Sequence, residues 1–106
     1  MKQAAAQKAN ECLEVTKGLR PKLIAQMLQK KMDASSNLSA AEKSAFQQDI
    51  QTAWAAAGQG LMQVQTNDPV NPYRIEQRLT PEEQLELNNQ YSQQMTQMMV
   101  SCASRR

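Results

Sequence analysis

Two cysteines bracket the chain. In a sequence of 106 residues, Cys12 lies close to the first residue and Cys102 close to the last. The count is even and minimal, and each thiol sits near a chain end that would otherwise fray. A disulfide between them is the expected arrangement. It would close a loop of about 90 residues, worth about 4–5 kcal/mol in the chain-entropy description. It would also bring the first and last segments of the fold together. The alternative is a pair of buried, reduced thiols, since unpaired cysteine is among the most buried residue types. A catalytic thiol is disfavoured, because the sequence has no histidine and no CxxC pair.

What lies between the cysteines reads as helix. Gln alone accounts for 16 residues, and Ala, Leu, Met, Lys and Glu supply much of the rest, all good helix formers. Aromatics are limited to Phe46, Trp54, Tyr73 and Tyr91, so the core must rest on aliphatic residues and seven methionines. A single all-α domain over residues 1–106 is expected, built as a small four-helix bundle or an orthogonal helical array.

Periodicity and end signals place four helices, at about residues 3–18, 21–32, 40–64 and 81–102. In the first, Ala5, Ala9, Cys12, Val15, Thr16 and Leu19 share one face. Gly18 ends it, and Pro21 suits the first turn of the next, where its missing N–H costs nothing. Leu23, Ile24, Met27 and Leu28 form the second stripe. The third helix opens on a capping box, Ser39 with Glu42. Its stripe is Phe46, Ile50, Ala53, Trp54, Ala57, Leu61 and Val64, and Gly58 and Gly60 either end it or admit a close neighbour. The fourth opens on Thr80, Pro81 and Glu83, a second capping box. Leu87, Tyr91, Met95, Met98 and Cys102 line its face, widened by Leu85, Met99 and Val100.

Familiar chemistry is missing. Without histidine, most metal sites and nucleophilic triads are ruled out. No phosphate-binding glycine loop, HExxH or EF-hand pattern is present. Glu82, Glu83 and Glu86 sit in the first turns of a helix, where they complement its dipole. The reading is therefore non-enzymatic, with no cofactor and no metal. Net charge is only +2, concentrated as +5 in residues 1–31, and the basic residues lack interleaved aromatics, so nucleic acid is not an expected partner. Lys17, Arg20, Lys22, Lys30 and Lys31 surround an apolar stripe that a membrane or a groove could accept, but a solvated basic face explains them more simply. No transmembrane segment is expected, and the N-terminal residues lack the apolar stretch of a signal peptide.

The longest irregular stretch, residues 66–78, is stiffened by Pro69 and Pro72 and is longer than a connection requires. Tyr73, Arg74 and Arg78 are residue types that dominate protein contacts. Asn67 and Asp68 complete the candidate partner-binding set, although turn formation also explains them. In size, helical pattern and terminal cysteine pair the chain resembles groups of exported bacterial helical proteins. These include immunity proteins against secreted cell-wall amidases and secretion-system pilot proteins. The resemblance is one of architecture and assigns no site residue.

The expected function is that of an exported protein, periplasmic or secreted after removal of a signal peptide, that binds another protein. An immunity or inhibitor protein against a secreted toxin or cell-wall enzyme is its most concrete form. The alternatives are a secretion pilot or chaperone holding a helix in an apolar groove, and a cytosolic regulatory protein with reduced thiols. A homodimer is left open.

Overall fold

The computed structural model describes residues 11–104. Three helices make up most of it: α1 (Leu19–Ala34), α2 (Ala40–Gly58) and α3 (Pro81–Ser104), with a single 3-10 turn at Glu76–Arg78. The first half of the helix expected over 3–18, with Ala5 and Ala9, falls outside the described residues. Residues 11–14 are helical and 15–18 form a turn. The fold is all-helical, and Cys12 and Cys102 are joined across 5.6 Å between their Cα atoms, 90 positions apart in sequence.

The helix α1 is the centre of the arrangement. It packs on α2 and, less extensively, on α3. Ile24, Ala25 and Leu28 are completely buried, and Leu19, Leu23 and Met32 nearly so. From α2 the core takes Phe46, Ile50, Ala53 and Ala56; from α3 it takes only Leu87. Tyr91, Met95 and Met98 of α3 pack against it half-buried. Among the described residues the arrangement is thus a layered helical array rather than a closed four-helix bundle.

Gly18 separates the N-terminal turn from α1, as the sequence implied, and it does so at φ +82°. Its N–H donates to Leu61 O at 3.1 Å, and a Cβ at this position would lie 2.4 Å from Ala57 O. Pro21 occupies the first turn of α1, which starts two residues earlier than expected.

The expected extension of the third helix to residue 64 is not found: α2 ends at Gly58. Gly60, at φ +70°, closes it in a Schellman arrangement. Gly60 N donates to Ala57 O and Leu61 N to Ala56 O, both at 3.0 Å. Past this stop the helical period no longer holds, so Leu61 is exposed, while Val64 is buried from an irregular segment. Trp54 is also 44% exposed, at the edge of the α2 stripe rather than within it. In α3, Leu85 and Val100 face solvent instead of widening the apolar face, and Val15 does the same before α1.

Both N-cap bonds form, but the reciprocal capping box is complete only at α3. Ser39 Oγ accepts from Glu42 N at 3.1 Å, while the Glu42 carboxylate accepts from the Ser39 hydroxyl at 3.1 Å and not from Ser39 N. Thr80 Oγ1 accepts from Glu83 N at 3.1 Å while Glu83 Oε1 accepts from Thr80 N at 2.9 Å.

The glycines give a direct test of this account. Gly18→Ala is expected to cost roughly 2–3 kcal/mol, because a left-handed backbone and a carbonyl contact are both violated. Gly58→Ala, at a helical position with open space around it, is expected to gain roughly 0.5–1 kcal/mol. Thermal melts of the two variants should move in opposite directions.

Candidate functional site

The segment that joins α2 to α3 begins where Gly60 stops the helix and ends where Thr80 starts the next. Its two ends are anchored by apolar side chains. Val64 is fully buried on one side; Ile75 and Leu79, at 1% and 2% exposed, hold the other. Between these anchors the backbone is closed on itself. Thr66 N donates to Pro72 O at 2.7 Å, and Thr66 Oγ1 donates to Asn71 O at 3.3 Å. Asp68 builds the tip: its Oδ1 accepts from Val70 N at 2.9 Å and from Asn71 N at 3.3 Å, an Asx turn. Asn71 Nδ2 donates to Gln77 Oε1 at 2.7 Å, tying the tip to the 3-10 turn. Asn67 lies exposed beside the tip.

The result is a pinned loop with Val70 at its apex, 91% exposed. Tyr73, at the edge of exposure, accepts on its hydroxyl from Gln65 Nε2 at 3.1 Å. Of the residues singled out from the sequence, Tyr73, Arg74 and Asn67 are exposed, whereas Asp68 and Arg78 are half-buried and work within the fold.

The loop is fastened to α2 by a charge that the sequence reading passed over. Asp49 is 4% exposed on the core side of α2. An unpaired carboxylate there would be strongly destabilising. Arg78 Nε donates to Asp49 Oδ2, and the Arg78 guanidinium lies 4.9 Å from the centre of the Phe46 ring. Arg74 meets the same carboxylate in a fork, Nη1 to Oδ2 and Nη2 to Oδ1, each at 3.3 Å. A signal for Asp49 was present: it stands three residues after Phe46 and four before Ala53, on the apolar stripe. A charged residue in that position has to find a counter-ion. Val70 was also recoverable, since prolines on both sides deny it a place in a helix or strand.

Two basic residues of α1 reach the other way. Arg20 pairs with Glu76, donates from Nη1 to Asn88 Oδ1 at 3.0 Å and sits 5.7 Å from the Tyr91 ring centre. Lys31 Nζ donates to Glu83 Oε1 at 2.7 Å and to Arg78 O at 2.8 Å. The two cations are three turns apart on one face, so they clamp the loop and the first half of α3 onto α1. The basic face read from the sequence is therefore partly consumed inside the fold, leaving Lys17, Lys22 and Lys30 exposed.

The hydrogen bond from Lys31, then the one from the Thr80 backbone, hold the Glu83 carboxyl below its ordinary value of 4.5.

Open grooves of mixed character flank the helices. One of about 400 Å³ between α1 and α3 is lined by Met27, Lys30, Lys31, Glu83, Glu86 and Gln90. Another of about 370 Å³, at the end of α2, includes Ala55, Gln59, Leu61, Met62 and Gln63. Among the described residues no group of three or more His, Cys, Asp or Glu side chains could hold a metal ion. No helix among them is long and apolar enough to cross a membrane.

No family profile matches the chain, and no curated protein or solved structure is similar enough to it to count as a match.

Two measurements test the ionic frame. Asp49→Ala, which strands Arg78 over the core, is expected to cost about 3 kcal/mol or more, whereas Arg74→Ala, on a half-exposed partner, should cost under about 1 kcal/mol. Chemical denaturation separates the two. Because the folded pKa of Glu83 is depressed, its contribution is present above the ordinary value and is lost as pH falls through the folded one. Glu83→Gln should therefore be less stable than wild type near neutrality and lose less stability on acidification from about pH 6 to about pH 3. Melts across that range check this.

Proposed function

We propose that this is an exported, non-enzymatic helical protein that binds another protein through the loop at residues 66–78. An immunity or inhibitor protein acting on a secreted toxin or cell-wall enzyme is the most concrete version. The observation that carries the reading is the apex of the loop. Val70 is 91% exposed on backbone held by Thr66, Asp68 and Asn71. A solvated valine contributes nothing to folding, yet the chain commits two prolines and several hydrogen bonds to fixing its position. Pre-organisation of this kind lowers the ordering cost of association. Tyr73 and Arg74, of types enriched at the centres of interfaces, follow within four residues.

Export rests on the cysteine pair. A bridge closing almost the whole chain persists in oxidising compartments and is reduced in most cytosols. The alternative, a pilot or chaperone grasping an apolar helix, has less support. The groove between α1 and α3 is walled mainly by Gln, Lys and Glu with a single Met, and the one at the end of α2 sets Ala55, Ala56, Leu61 and Met62 among three Gln and a Thr.

The test is a photoreactive amino acid placed at position 70, and at exposed Gln94 of α3 as a control, in the native cell. The reading expects a discrete covalent adduct from position 70 and none from position 94. It also expects a protein in the envelope or secreted fraction whose thiols resist alkylation until reduced. Equal labelling from both positions, no adduct from position 70, or free thiols in the cytosol would each sink it.

A further inference from the structure

Asp49 has more counter-ion than it needs. Arg78 neutralises it from inside, half-buried and stacked on Phe46. Arg74 makes a second, longer contact to the same carboxylate at 3.3 Å while its side chain stays 46% exposed. One buried carboxylate shared by two guanidinium groups leaves one positive charge at the rim.

The neighbouring acids are already engaged. Asp68 turns its Oδ1 onto the backbone N–H groups of Val70 and Asn71. Glu76 is paired with Arg20. The Asp49 fork fixes the plane of the Arg74 guanidinium, and its remaining N–H groups, which have no partner among the described residues, can form charge-assisted hydrogen bonds. Stability does not explain a second arginine held in this manner at the surface, because a half-exposed ion pair contributes little.

We infer that Arg74 is the polar half of the loop's recognition surface and that it receives a side-chain carboxylate of the partner protein beside the apolar contact at Val70. The inference rests on the loop reading proposed above and names the chemistry of its partner. A carboxylate fits better than a phosphate. The excess charge is a single one, which one carboxylate neutralises and a dianion overshoots.

The experiment is a two-dimensional NMR titration of the isotope-labelled, disulfide-intact protein. The probe is the capped dipeptide N-acetyl-leucyl-aspartyl amide, with the asparaginyl and phosphoseryl analogues as comparisons. Saturable shifts are expected at the Arg74 side-chain Nε–Hε and the Val70 amide with the aspartyl probe, and no shift at Arg78. The response should be at least about tenfold weaker with the asparaginyl probe and in Arg74→Gln. The thermal midpoint of Arg74→Gln should stay near that of wild type, showing that the fold is kept. No saturable response at Arg74, or an equal response to the aspartyl and asparaginyl probes, would overturn the inference. Tighter binding of the phosphoseryl probe would replace the carboxylate class. Cross-linking from position 70 separates the two readings. Adducts that persist in Arg74→Gln, with Arg74 silent in the titration, would remove the carboxylate and keep the loop. Loss of both would remove the loop as well.

Discussion

A carboxylate on the core side of α2 sets the terms for the segment that follows. Asp49 is nearly inaccessible to solvent, and a charge in that setting must be met by cations or it destabilises the fold. The ion-pair partners it has, Arg74 and Arg78, both come from the connection between α2 and α3. The ion pairs therefore place that connection against α2. Val64, Ile75 and Leu79 then add apolar anchors at its ends. With the base of the loop held in this way, the short hydrogen bonds around Asp68 and Thr66 are enough to define its apex.

The last helix depends on similar devices, because its own apolar surface is meagre. Of the 24 residues in α3, only Leu87 is fully buried. Half-buried Tyr91, Met95 and Met98 add contact, but methionine specifies geometry weakly. Arg20 and Lys31 of α1 compensate near the start of α3 through Asn88, Tyr91 and Glu83. At the far end the bond to Cys12 takes over. The molecule extends 58 Å along its longest axis, and in so drawn-out an array a covalent tie between the termini has more to do than in a compact bundle. The fold and the proposed export are thus connected by one bond: without oxidation, the distal part of α3 would lose its principal fastening.

Much of this was legible in the sequence, and the rest was hidden for identifiable reasons. The capping residues Ser39, Glu42, Thr80 and Glu83 fixed the starts of α2 and α3, since capping is a local exchange of hydrogen bonds. Gly18 and Pro21 marked the break before α1. The stop of α2 was harder. Gly58 and Gly60 both offered an end, and Gly60 at a left-handed φ supplies the Schellman closure while α2 itself finishes at Gly58. The run through Leu61 to Val64 matched a helical period by coincidence, because Val64 is buried from an irregular segment. In the candidate site, Tyr73 and Arg74 were legible as contact-forming types, and Asp68 as a turn former. Asp49 was passed over because a lone acid among glutamines looks like a solvated face until it is placed against its stripe.

By itself the sequence determined the helical class, the N-cap residues of α2 and α3 and the loop at 66–78, and it made the cysteine pair the expected terminal tie. Each rests on residues close together in the chain or on a count that admits few solutions. Only the tertiary structure decided that α1 is the hub, that Arg20 and Lys31 turn inward, and that Arg74 and Arg78 share one buried acid. Those pairings join residues 25 to 56 positions apart. Long-range ion pairing follows from how the helices pack, and one-dimensional spacing carries no record of which cation will meet which acid.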